Sequence, residues 1–107
     1  GDIYAAAQPL LRRSSNHNHL DFLAHGMGLV SHEVPHLTGT GPVPYAAADA
    51  ERPLETGMVV SVETTLHHPQ RGFIKLEDTI AVTEAGHEVY GDRARRWNRG
   101  GQGVAVR

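Results

Sequence analysis

The sequence predicts an α+β fold, with one N-terminal helix flanking an antiparallel sheet. Residues 2–8 read Asp-Ile-Tyr-Ala-Ala-Ala-Gln, an acidic start followed by good helix formers. Residues 58–66 and 73–83 are runs rich in β-branched residues. Between them, Pro69-Gln70-Arg71-Gly72 has the composition of a hairpin turn.

The helix is expected to open at Asp2, a candidate N-cap, and to run through Arg13. Arg12 and Arg13 then lie at the negative end of its dipole. Pro9 lacks a backbone N–H and its ring crowds the preceding turn, so a kink or break is expected there. Residues 14–19 are polar and read as a loop. Residues 22–33 mix apolar side chains with Gly26 and Gly28, as in a strand that bulges or approaches another backbone closely. Gly39, Gly41, Pro42 and Pro44 make 35–44 a loop, and 45–51 suits a short helical turn. Residues 52–57 turn into the strand at 58–66. The return strand at 73–83 leads through a second turn at 84–87 into a short strand ending at Tyr90. Residues 91–107 form an Arg- and Gly-rich tail, separate from a domain over 1–90.

Composition narrows the function classes. A chain of 107 residues builds one small domain with a modest core. A net charge of −2 gives no electrostatic footprint for nucleic acid or an anionic membrane surface. No apolar run approaches the roughly 20 residues that span a bilayer. There is no cysteine, so any metal must be held by nitrogen and oxygen. The lack of cysteine and of a signal-peptide pattern makes a cytoplasmic protein the expectation.

His25, Glu63 and Glu77 each sit in a strand-like apolar segment, where an ionisable side chain is costly unless neutralised. A hairpin centred near residue 70 puts Glu63 directly opposite Glu77. Their Cβ atoms are then roughly 4.5–5.5 Å apart. Two like charges at that distance call for a cation between them or a proton on one. The alternative is a solvent-facing acidic pair, against which the apolar flanks Val60, Val62, Ile74 and Leu76 argue. His25 and His32, seven residues apart, do not share a face of a regular strand. Gly26 and Gly28 allow a bend that brings both to one pocket. The alternative is two ordinary histidines on a glycine-rich loop. Histidine and carboxylate donors suit Zn, Mn, Fe or Co. Carboxylate-rich sites commonly hold two ions with water between them as nucleophile.

Three motifs carry a family resemblance. His25-Gly-Met-Gly-Leu-Val-Ser-His32-Glu33-Val-Pro35 resembles the His-Gly…His-Glu-x-Pro segment of metallopeptidase family M24. Leu54-Glu-Thr-Gly57-Met58-Val59-Val60-Ser-Val-Glu63 resembles its Leu-x-x-Gly-Met-Val-x-x-x-Glu. Lys75-Leu-Glu77-Asp78-Thr79-Ile-Ala-Val82-Thr83-Glu-Ala-Gly86 resembles its Arg-Ile-Glu-Asp-Thr…Val-Thr-x-x-Gly. The likeness covers about residues 1–90 and points to the Xaa-Pro peptidase, prolidase and creatinase branch.

The resemblance implies the C-terminal half of a pita-bread domain with a dinuclear site for divalent ions (Mn, Co, Zn or Fe). His25, Glu63 and Glu77 match metal ligands, with Glu77 of the bridging type, and His32 matches the catalytic histidine. The implied activity is amide hydrolysis by metal-held hydroxide on a small peptide or other amide substrate. A creatinase-like C–N hydrolase is the alternative enzyme. Three departures stand out. The family's two aspartate ligands come from an earlier segment with no counterpart here, and Asp2 and Asp21 lack the matching context. Lys75 replaces an arginine, and Thr64-Thr65 replaces Pro-Gly. The position that carries a histidine in aminopeptidase P-like members, four before His25, is Asp21. With three of five ligands, an inert fragment or binding module is a further alternative. A half domain also exposes the surface its other half covers, so packing on that half or homo-oligomerisation is expected.

The other histidines read as peripheral. His36 is a loop residue or lines the pocket, His67 and His68 lie near the hairpin tip, and His17 and His19 fall in a polar loop. Glu33 either orients one of the two motif histidines or caps a neighbouring backbone group. Trp97 in the tail reads as a packing anchor.

Overall fold

The computed structural model describes residues 1–38 and 46–90. The described residues fold as one helix, α1 (Asp2–Arg13), a short 3₁₀ turn (His17–His19) and four strands: β1 (Leu20–Gly26), β2 (Val59–His68), β3 (Gly72–Thr83) and β4 (Gly86–Tyr90). The strands form a single antiparallel sheet in the order β1-β2-β3-β4. The expected α+β architecture is therefore present. The tail, Trp97 and most of the 35–44 loop lie outside the described residues, and 48–51 form successive turns.

α1 differs from expectation at two points. Gly1 is the N-cap and Asp2 the first helical residue, with no side-chain cap. Pro9 does not interrupt the helix. Ala5 and Pro9 are both exposed, so water can serve the carbonyl that Pro9 leaves without an intrahelical donor. The helix docks through Tyr4. Its hydroxyl accepts from Ala24 N–H at 3.0 Å and its ring meets Phe22 edge-on at 5.1 Å. Burial pushes the Tyr4 hydroxyl pKa up.

β1 is a sheet edge, and two devices close it. Tyr4 takes the outward N–H of Ala24, while residues 33–35 return to Gly26. Gly26 N–H donates to Pro35 O, and Glu33 N–H donates to Gly26 O, each at 3.0 Å. The chain passes through a cis Val34–Pro35 bond here. A Cβ on Gly26 would lie 1.9 Å from Val34 O, so this close approach requires glycine. The strand thus ends at Gly26 instead of continuing to Glu33.

The β2–β3 hairpin turns through residues 69–71, with Gly72 at φ +94° closing a three-residue loop. Its register pairs Glu63 with Glu77, and Ser61 with Thr79. Ser61 also pairs with His25, and Leu23 with Glu63. Side chains alternate across a strand, so His25, Ser61, Glu63, Lys75 and Glu77 share one face. Ala24, Val60, Val62, Leu76 and Ile80 share the other. Ala7, Ala24 and Val60 are buried, but so are His25, Ser61, Glu63 and Asp49. Asp49 anchors the 46–52 turns by accepting from His36 N–H at 2.9 Å and from Arg52 at 3.1 Å.

Candidate metal centre

β1 delivers His25 and β2 delivers Glu63 to neighbouring positions on the same sheet face. His25 Nε2 lies 2.7 Å from Glu63 Oε1, with both side chains 5% exposed. His25 Nδ1 lies 2.8 Å from Gly26 O. A carbonyl oxygen only accepts, so Nδ1 carries the proton. Nε2 then faces a carboxylate oxygen. Two acceptors at 2.7 Å need a cation between them, either a proton or a metal ion. A backbone carbonyl that fixes the imidazole tautomer in this way is the usual support of a metal-ligating histidine.

The loop after β1 folds over this pair. His32 stacks on His25 with ring centroids 3.9 Å apart, and its Nε2 lies 3.9 Å from Glu63 Oε1. One donor atom from each of His25, His32 and Glu63 falls within 4.8 Å of the others. The glycine-rich bend therefore brings the two histidines to one place. Two imidazoles and a carboxylate, converging and largely buried, fit a divalent ion of the Zn, Mn, Fe or Co kind.

Glu77 stands opposite Glu63 but outside that three-residue group. Its Oε1 accepts from Ser61 Oγ at 2.5 Å, and its Oε2 lies 3.4 Å from Lys75 Nζ. Lys75 Nζ also reaches Glu63 Oε2 at 2.6 Å. The cation that the facing carboxylates require is therefore supplied by a side chain. The Ser61 hydrogen bond, aided by Lys75, holds the Glu77 pKa down. The bond to Glu63 raises that of Lys75. The two carboxylates also differ in setting. Glu63 is buried, whereas Glu77 lies in the exposed stretch of β3, because the apolar flanks Ile74 and Leu76 point to the opposite face.

Sequence reasoning missed Ser61 and the bridging role of Lys75. Both were findable from the alternation. Ser61 is two residues before Glu63, and Lys75 two before Glu77, so each shares its neighbour's face. Glu33 caps a backbone group, since its Oε2 accepts from Val30 N–H at 3.1 Å. His67 pairs with Asp21 at 2.7 Å on the exposed end of the same face. His17, His19 and His68 are exposed, and His36 is held through its backbone N–H by Asp49.

The profile of metallopeptidase family M24 matches residues 1–84. Among curated proteins, the chain is similar to an uncharacterized peptidase of Staphylococcus haemolyticus, 34% identical over 67 residues, or 63% of this chain and 16% of the relative. An uncharacterized peptidase of Bacillus subtilis is 36% identical over 65 residues, covering 61% of this chain and 16% of the relative. A Xaa-Pro dipeptidase of Pyrococcus furiosus is 34% identical over 64 residues, covering 60% and 16%. The matched segment thus spans about 16% of each relative's length.

Proposed function

The chain belongs to metallopeptidase family M24, and from that premise we propose that it forms part of a metal-dependent peptidase acting on the Xaa-Pro bond of small peptides. One observation carries this reading: His25, His32 and Glu63 converge with their donor atoms within 4.8 Å of one another. A divalent ion held by His25 and Glu63, with His32 beside it, would polarise the amide carbonyl and lower the pKa of bound water. The N/O donor set suits Mn, Co, Zn or Fe, and Glu77 stands near enough in register to serve a second ion.

The chain's own residues divide the work. The Gly26 carbonyl fixes the His25 ring so that Nε2 faces inward. Ser61 orients the Glu77 carboxylate. His32 is more open to solvent than His25, with its side chain 30% exposed. It donates a hydrogen bond to the scissile carbonyl oxygen as negative charge develops there. The likeness to the Xaa-Pro dipeptidase supports the substrate class.

No helix among the described residues is long and apolar enough to cross a membrane. A cytoplasmic setting is part of the same proposal. So is a partner surface: Leu76 is 70% exposed and Ile74 43%, on the face opposite the site. We assign this face to packing against the rest of the domain or a second copy.

The test is proline release from Gly-Pro and Ala-Pro with Mn²⁺. Release that disappears in chelator, returns with Mn²⁺ and falls at least about a hundredfold in His32→Gln supports the reading. Equal cleavage of Ala-Ala overturns the Xaa-Pro class, and cleavage that survives chelation overturns the metal role. With three converging donors among the described residues, a non-catalytic binding piece is a second reading. Mn²⁺ binding without turnover of any dipeptide supports that one.

A further inference from the structure

Each oxygen of the facing carboxylates has an identified neighbour. Glu63 Oε1 faces His25, and Glu77 Oε1 accepts from Ser61. The two remaining oxygens both face Lys75 Nζ, at 2.6 Å from Glu63 and 3.4 Å from Glu77. Lys75 sits two residues before Glu77 on the same face of β3, opposite Thr65. Its ammonium therefore lies between the two carboxylates that the metal-site reading gives to ions. The groups differ in freedom to move. Glu63 is 5% exposed and held by the sheet, while Lys75 is 36% exposed on a flexible four-carbon stem.

We propose that Lys75 is a built-in counter-cation of the candidate metal centre. It holds Glu63 and Glu77 together when no divalent ion is bound, and it must swing out when one enters. This rests on the metal-site reading above. Two like charges about 4 Å apart near a protein surface disfavour each other by roughly a thousandfold in an equilibrium constant. Retreat of the ammonium toward solvent relieves most of that cost and leaves a residual penalty on metal affinity. Lysine in place of the arginine that the resemblance implies fits this role. A compact ammonium on a long stem leaves more readily than a planar guanidinium paired with a carboxylate through two bonds.

The test compares wild type, Lys75→Met, Lys75→Gln and Lys75→Arg by Mn²⁺ titration calorimetry and by thermal melting, with and without chelator. The neutral variants are expected to bind Mn²⁺ at least about tenfold more tightly than wild type. Their melting midpoints in chelator should fall by about 4 °C or more, and saturating Mn²⁺ should close that gap. Lys75→Arg, which keeps the charge, should not gain affinity. Neutral variants that bind Mn²⁺ no better than wild type, including no binding by either, overturn the proposal. So does an unchanged midpoint in chelator. Lys75→Gln keeps the test decisive if Lys75→Met does not fold. Tighter Mn²⁺ binding without dipeptide cleavage would sink the peptidase reading alone. Metal-dependent cleavage with unaltered affinity would sink the Lys75 role alone.

Discussion

The β1–β2 half of the sheet buries ionisable groups, whereas the β3–β4 half exposes apolar ones. His25, Ser61 and Glu63 are at most 4% exposed, while Ile74 and Leu76, on one face of β3, are 43% and 70% exposed. Both reverse the usual arrangement of a small domain, for different reasons. A buried carboxylate and imidazole are tolerable only when a cation and hydrogen bonds replace water. An apolar strand face tolerates water, at the cost of the burial that another surface would supply. The first half is organised by a site. The second presents the face that the proposal above gives to a packing partner.

The sharpest way to break this contrast is to delete the two facing carboxylates separately. Glu63→Ala leaves His25 and Lys75 without their partner and should cost about 3–5 kcal/mol. Glu77→Ala, at an exposed position, removes the acceptor of the buried Ser61 hydroxyl and should cost less, about 1–2 kcal/mol. Urea unfolding in chelator at neutral pH measures both, and equal losses would mean that burial does not separate the two residues.

Two glycines offer an intermediate test. Gly26→Ala drives a methyl into the Val34 carbonyl and should cost about 1–3 kcal/mol. It should also release the loop that stacks His32 on His25, removing their mutual ring-current shifts in NMR spectra. Gly86 has φ +150° and open space around it, so Gly86→Ala should cost about 1–3 kcal/mol of backbone strain and leave the stack intact. Loss of the stack in both variants would show that the two halves are not independent.

The smallest expected change in stability is at the exposed face. Leu76→Ser should alter it by less than about 0.5 kcal/mol. Sedimentation should nonetheless show weaker self-association than wild type. If wild type is already a stable monomer, the proposal that a second copy covers this face fails.

Much of the contrast was legible in the primary structure. The β2–β3 pairing followed from one turn and two β-branched runs, because a hairpin with a fixed loop has only one register. Glu63 opposite Glu77 is a direct consequence. The helix end at Arg13 was legible from local chemistry, but its passage through Pro9 was not. A proline's cost depends on whether solvent reaches the carbonyl it frees, and here both Ala5 and Pro9 are exposed. The position of His32 was open for a similar reason. Its loop is placed by the Gly26 contacts with residues 33–35, which lie beyond the reach of strand periodicity.

By itself, then, the sequence determined the α+β class, the hairpin register, the donor types and the family. These rest on periodicity, turn chemistry and residue identity, all of which are local. Tertiary structure alone decided that His32 closes over His25, that Glu63 is buried while Glu77 is not, and that Lys75 bridges them. Burial and charge compensation depend on what lies across the sheet and above it. A linear pattern specifies which face a side chain takes, and only the folded chain determines how much water and which partner that face meets.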